Sequence, residues 1–448
     1  MKRKFLFCFF SIGCAFLPAI TVSQLWEDKK INFDYPPSCM FADSDSGRLF
    51  VGGSFVKVNG INTGGIIFYD GSNANTISNV PLIHPITVID KFQGKIFVGG
   101  VWGLASWNGS TWDTVSNSGE IWSMFATQNQ LYVGGTFENI GGTGLHTLAV
   151  WDGQSWNEVF GSQAVLASMS NSINSICFYQ GELYVGGNFS SGVDDDFMKW
   201  NGASWVNVGG GIGSGGLDHV NDMVIFENEL YVAGFFFQAS NGPGNNIAKW
   251  DGIKWSPLGI GLYPGQGFDL QVFDSNLYVC GQFSSAGGIY AKSIARWDGH
   301  NWCGSGSDFD NVIGAIASFN DSLFIVGGFW TIDGDSFSHF VKWTGDSFSD
   351  TCQAVSIDDE QLALNNEQFN IFPNPGSSSF HALVPAAISG EVICEVYGIS
   401  GNKILSESQY LSSDHKTYSI EISDQPGGIY FVRFIAGEKL FTAKIIKL

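Results

Sequence analysis

LYVAGFF at residues 230–236, answered by KWDGIKW at 249–255, decides how this chain folds. Leu230 and Val232 point one way and Tyr231 the other, and all three are apolar. A strand with that pattern needs cover on both faces, as a sheet has between two others. Residues 220–226 form an apolar run that reaches the polar turn Glu227-Asn228-Glu229, so the first two strands read as a hairpin. Trp250 then meets Asp251-Gly252, a dipeptide suited to the positive φ angles of a type I′ turn. With a two-residue loop Trp250 pairs with Ile253, and alternation puts Trp255 on the face of Trp250.

Both signatures recur. The first appears as LFVGGSF at 49, IFVGGVW at 96, LYVGGTF at 131, LYVGGNF at 183, LYVCGQF at 277 and FIVGGFW at 324. The second appears as FYDGS at 68, SWNGSTW at 106, VWDGQSW at 150, KWNGASW at 199, RWDGHNW at 296 and KWTGDSF at 342. Units of four strands with a period in the forties predict propeller blades. The expected fold is therefore all-β: a seven-bladed β-propeller of four-stranded antiparallel blades over residues 24–355. Periodicity alone leaves a linear solenoid open. Residues 25–33 are a candidate for the strand that closes the ring, and the short second repeat leaves the count between seven and eight blades.

In such a blade the loops after strands one and three are tight turns at one end. The loops after strands two and four gather at the other end, among them 138–146, 190–196, 238–246 and 331–338, with connections such as 209–216. Binding is expected on that irregular end.

The chain opens with Lys2, Arg3 and Lys4, an apolar stretch over 5–20 and Thr21-Val22-Ser23, which reads as a signal peptide over 1–23. Pro18 interrupts the stretch, and it is shorter than the roughly 20 apolar residues of a membrane span, so no transmembrane anchor is expected. Cys14 lacks the Leu three residues earlier that a lipoprotein signal carries. The formal charge of −21 becomes −24 once Lys2, Arg3 and Lys4 are removed, a field that repels nucleic acid and anionic membranes. Of the mature cysteines, Cys39 and Cys352 stand in the first and last repeats, which ring closure brings together. They are the candidate disulfide, with small buried thiols as the alternative.

After a polar linker at 356–368, residues 369–448 change character, with short strand-like runs between Gly, Ser and Asn turns that predict a small Ig-like β-sandwich. FPNPG at 372–376, VYGISGNKI at 396–404, PGGIYFVRF at 426–434 and KIIKL at 444–448 follow one another there. In these residues the segment resembles the type A C-terminal sorting domain of the type IX secretion system of Bacteroidota, although the family commonly has an acidic or Asn residue where Tyr397-Gly398 stands. The motif residues are Pro373, Asn374, Pro375, Gly401, Gly428, Tyr430 and Lys444. The resemblance implies the type IX machinery as a partner, passage through the periplasm and a secreted or cell-surface location. An adhesive or carbohydrate-binding β-sandwich is the alternative.

The repeats resemble kelch-like and cortical-marker-type propellers, which mostly bind partners. A copper-oxidase relative would need clustered His ligands, whereas the seven His residues are scattered. The GxGxxG match at 211–216 opens no helix and reads as a connecting loop. Asp70, Asn108, Asp152, Asn201, Asp251, Asp298 and Thr344 recur before Gly as turn formers. Asp194, Asp195, Asp196, Asp333 and Asp335 fall outside the repeat pattern on the expected binding end. They are the candidate binding residues, with Ca²⁺ the one cofactor such oxygen-rich loops suggest and solvated turns the alternative. With no catalytic set in view, the expected function is binding or adhesion to a surface glycan or protein. A secreted polysaccharide-active or other hydrolytic enzyme is the alternative.

Overall fold

The computed structural model describes residues 25–81, 83–163, 172–190, 195–212, 218–236, 245–345, 370–372, 379–383, 390–398, 403–411, 417–436 and 439–447. The chain divides into two compact units, Met1–Val355 and Ser356–Leu448. Each is all-β, and the first is propeller-like.

Among the described residues the first unit contains seven four-stranded antiparallel sheets. The fifth shows the plan: His219–Phe226, Glu229–Phe235, Ile247–Trp250 and Trp255–Pro257 run in chain order from inside to outside. Each inner strand packs against the inner strand of the next sheet, and Ile313–Phe319 of the seventh packs against Pro37–Asp43 of the first. The succession of sheets therefore closes on itself. Closure uses the N-terminus: Trp26–Asp28 pairs antiparallel with Phe340–Trp343 as the fourth strand of the seventh sheet.

The repeated residues have structural work. In every sheet the inner strand shifts register near its start, so that one residue is left over opposite the second strand. The last glycine of the VGG signature lies across from that bulge. A Cβ on Gly135, Gly187 or Gly234 would strike the carbonyl oxygen of Glu120, Ser172 or His219. Leu230, Tyr231, Val232 and Ala233 are buried on both faces of their sheet, as the apolar pattern requires.

The Asp-Gly turn differs from expectation. Trp250 pairs with Trp255, so the loop holds four residues, and Trp250 does not face Ile253. The reason is the Asp251 side chain, whose Oδ1 accepts the amides of Ile253 at 2.7 Å and Lys254 at 2.8 Å and so draws two more residues into the turn. Asp70, Asn108, Asp152, Asn201 and Asp298 accept the same pair of amides. Positive φ at both central positions occurs instead in the inner hairpins, at Glu227 and Asn228 and at Asp274 and Ser275.

The paired indoles also join neighbouring sheets. Trp250 and Trp255 have ring centroids 5.2 Å apart. The Trp255 Nε1 donates to Val208 O at 2.9 Å in the preceding sheet's connection, and the Trp302 Nε1 donates to Leu258 O at 3.0 Å.

The cysteine expectation needs correction. Cys39 is a free, buried thiol packed with Ile86 and Ile89, so it forms no bridge with Cys352. Cys39 lies on an inner strand, where its side chain points into the junction with the second sheet. Cys303 carries a disulfide whose partner lies outside the described residues.

In the second unit, Asn370–Phe372, Ser379–Leu383 and Thr417–Glu421 form a three-stranded sheet, and Gly390–Gly398, Lys403–Leu411, Gly428–Ala436 and Lys439–Lys447 a four-stranded one. One core contains residues of both, including Phe380, Tyr418, Val396 and Phe434.

Candidate binding face

Chain direction places the start of each inner strand, the loops between second and third strands, and the connections between sheets at one end of the ring. That end is called the loop face; the tight turns occupy the turn face. Among the described residues of the first unit the exposed aromatics are Tyr35, Trp102, Trp122, Phe160, Tyr263, Tyr290 and Trp330, and all seven belong to segments at the loop face. The turn face exposes the aliphatic Ile225 and Ile253.

The inner strands enclose a channel with a cavity of about 600 Å³, and a second cavity of about 590 Å³ forms its mouth on the loop face. At the bulge the residues lining the channel are Ser38, Thr87, Trp122, Asn174, Asn221, Phe268 and Gly314. Several also link adjacent sheets. Asn174 Nδ2 donates to Val220 O at 3.0 Å, Asn221 Nδ2 donates to Gly267 O at 2.8 Å, and the Thr87 hydroxyl donates to Ile121 O. Around the mouth stand Glu120, Thr136, Ser172, Asn188 and His219, whose Nε2 lies 3.1 Å from Gln266 Oε1.

Deeper in, Asp222 and Asp269 share a hydrogen bond. The channel leaves both a little solvent access, but protein closes around them, and that burial pushes both carboxyls up, Asp269 well above its ordinary value. Every oxygen of the pair is engaged. Asp222 accepts Ser175 Oγ at 3.2 Å and Leu270 N at 3.0 Å, and Asp269 accepts Leu270 N at 2.9 Å and Ile316 N at 2.8 Å. Asp90 accepts Lys91 N and, from the next sheet, Ala126 N at 3.1 Å, and burial pushes it up to about 6. These carboxyls brace sheet junctions.

Those of the singled-out aspartates that are described are not brought together: Asp195 and Asp196 begin the third strand of the fourth sheet, and Asp333 and Asp335 belong to a hairpin of the seventh. Asp194 lies outside the described residues. Asp195 pairs through its backbone with Ser190. Asp196 is buried at positive φ, and its Oδ1 accepts Phe189 N at 2.9 Å. It occupies the repeat position of Thr147, Asn246 and Ser293, all left-handed just before a third strand, so it belongs to the repeat pattern after all. Asp333 accepts Asp308 N at 2.6 Å, while Asp335 is exposed in the small hairpin. Among the described residues no group of three or more His, Cys, Asp or Glu side chains is placed to hold a metal ion.

The exposed aromatics of the loop face, of which Trp122 lines the mouth, are what sequence reasoning missed. Trp102 and Trp330 were visible as the only tryptophans ending the VGG signature. Trp102 stands out because the link to its third strand is only two residues long.

In the second unit Tyr430 is buried and its hydroxyl donates to Pro426 O. Gly428 and Lys444 lie in paired strands, opposite Lys447 and Phe431. Pro373, Asn374, Pro375 and Gly401 are outside the described residues. Lys447, which the sequence reading passed over, is buried and donates to the carbonyls of Ile422 at 2.9 Å, Ser423 at 2.7 Å and Gln425. Residues 370–448 match the family model of the secretion system C-terminal sorting domain. This segment is a type IX sorting domain. It implies engagement with the type IX machinery and marks the chain as secreted or attached to the cell surface. Among the described residues no helix is long and apolar enough to cross a membrane.

No curated protein matches the chain. Among solved structures it is similar to Hsv2p of Kluyveromyces lactis, at 12% identity and a TM-score of 0.35, covering 65% of this chain and 89% of that one. It is also similar to an acylaminoacyl peptidase of Pyrococcus horikoshii, at 11% and 0.41, covering 82% of this chain and 60% of that one. A third similarity is to dimeric latent PorU of Porphyromonas gingivalis, at 11% and 0.16, covering 93% of this chain and 34% of that one.

Proposed function

We propose that this chain is a seven-bladed, kelch-like β-propeller, made with a signal peptide over residues 1–23, that acts outside the cell as a binding or adhesion module for a glycan or protein. The Ig-like sorting domain delivers it, and the propeller's loop face engages the ligand. The observation that carries this reading is the placement, among the described residues of the first unit, of all seven exposed aromatics on that face. Flat, exposed rings on rigid strand ends supply contact area at little entropic cost. Asp333 and Asp335 are candidate polar contacts on that face, and the sequence offers Asp194 and Asp195 beside them.

One observation favours a hydrolase: Asp222 and Asp269 lie side by side on the channel wall. It weighs less, because all four oxygens already accept hydrogen bonds, three of which join neighbouring sheets. A glycan array and a surface-protein pull-down with the mature chain test the binding reading. Capture in either supports it, and silence in both contradicts it.

A further inference from the structure

We infer that the channel mouth is a site for the end of a neutral saccharide, stacked between Trp122 and Phe268 and hydrogen-bonded by the side-chain oxygens of Asn174 and Asn221. This rests on the binding-module reading and names its ligand class and seat.

In the third to sixth sheets the residues at the bulge are Trp122, Asn174, Asn221 and Phe268, so two aromatic rings bracket two amides along one arc of the wall. The opposite arc, with Gly314, is built from small side chains and leaves the space open. The amides are fixed. Each Nδ2 donates to a backbone carbonyl of the next sheet, which only the nitrogen can satisfy, so each Oδ1 is turned the other way as an acceptor. Neither Oδ1 has a donor among the described residues. Two pre-set acceptors on adjacent blades call for donors spread around a ligand's rim, which ring hydroxyls are.

Among the described residues that line the mouth there is no Lys or Arg and one carboxylate, Glu120, so anionic sugars, phosphates and sulfates find no partner there. Trp122 is 37% exposed, and its Nε1 donates to Thr136 Oγ1 at 3.3 Å, which fixes the indole. Its electron-rich face suits the C–H face of a pyranose. The mouth cavity of about 590 Å³ is of ligand size.

The test is calorimetric titration of the mature chain with neutral glucan, mannan and xylan oligosaccharides at low and high salt. Binding to at least one is expected, insensitive to salt, weakened about tenfold by Trp122→Ala and largely kept by Trp122→Phe. Binding that survives Trp122→Ala but is lost in Trp102→Ala and Trp330→Ala overturns the seat and leaves the module reading standing. Silence of the neutral panel, with a surface protein or lysine-rich peptide captured instead, overturns the saccharide class alone. Silence towards every probe ends both readings.

Discussion

Trp26 lies directly opposite Trp343, with ring centroids 4.7 Å apart and planes at 66°, where Trp302 lies opposite Trp297 one sheet earlier. The match extends to the hydrogen bond. Trp302 Nε1 reaches back to Leu258 O, and Trp26 Nε1 reaches back to Ser307 Oγ at 3.1 Å. A residue near the start of the chain thus completes the last sheet and ties it to the sixth.

Removing that clasp should open the ring. Trp26 is fully buried, so Trp26→Ala is expected to cost about 3–5 kcal/mol, as large-to-small core changes do. Urea unfolding of the mature chain checks this; a loss comparable to that of an exposed-aromatic variant such as Trp330→Ala would remove the clasp from the account of stability.

The last glycine of the VGG signature should tolerate nothing larger, whereas the first is already Ala233 in the fifth repeat and Cys280 in the sixth. Gly234→Ala drives a methyl group into the carbonyl of His219, and overpacking of that kind costs about 1–3 kcal/mol. Gly142→Ala, where no atom lies near the new Cβ, is the control for positive φ without collision, and thermal melting of the two variants separates the effects.

Much of this was legible because repetition exposes it. The strands, their antiparallel order and the face shared by Trp250 and Trp255 follow from alternation and the recurring signatures, whereas the four-residue turn that Asp251 builds does not. Two things were hidden. The seventh repeat's register starts at Leu323, since Gly327 pairs with Ile313 as Gly53 pairs with Pro37, so Phe329 takes the buried place that FIVGGFW seemed to give Trp330. The loop-face aromatics were hidden because they fall on inner-strand starts, second-to-third loops and sheet connections alike, and only the closed succession of sheets brings those segments to one end.

The buried carboxyls set a pH dependence. Asp90 rises from its ordinary 3.8 to about 6, and Asp222 and Asp269 move the same way. Across that window the native state holds protons that the unfolded chain has released, so stability falls as pH rises. Asp152, held at about 2 by its turn amides, acts in the opposite sense but below this window. The melting temperature should drop between about pH 4 and pH 6, and less steeply in Asp90→Asn. A flat profile would contradict the burial of Asp90.

Thiol chemistry separates the cysteines. Cys39, Cys177 and Cys280 are buried and free, with burial pushing the first two up to about 12, while Cys303 is oxidised. Alkylation of the denatured, unreduced protein should label the first three and spare Cys303, read by peptide mass.

Deletion of residues 370–448 should leave the protein in the periplasm. Unchanged surface display in a fractionation experiment would contradict the sorting assignment.

The most direct test of the central claim compares the two ends of the ring. Adsorption of the mature chain to washed cells and their isolated surface polysaccharide is measured for wild type, for Trp122→Ala with Trp102→Ala and Trp330→Ala, and for Ile253→Asp. Loss with the loop-face triple and full retention with Ile253→Asp is the expected result; adsorption that survives the triple, or disappears with Ile253→Asp, would contradict a binding function on the loop face.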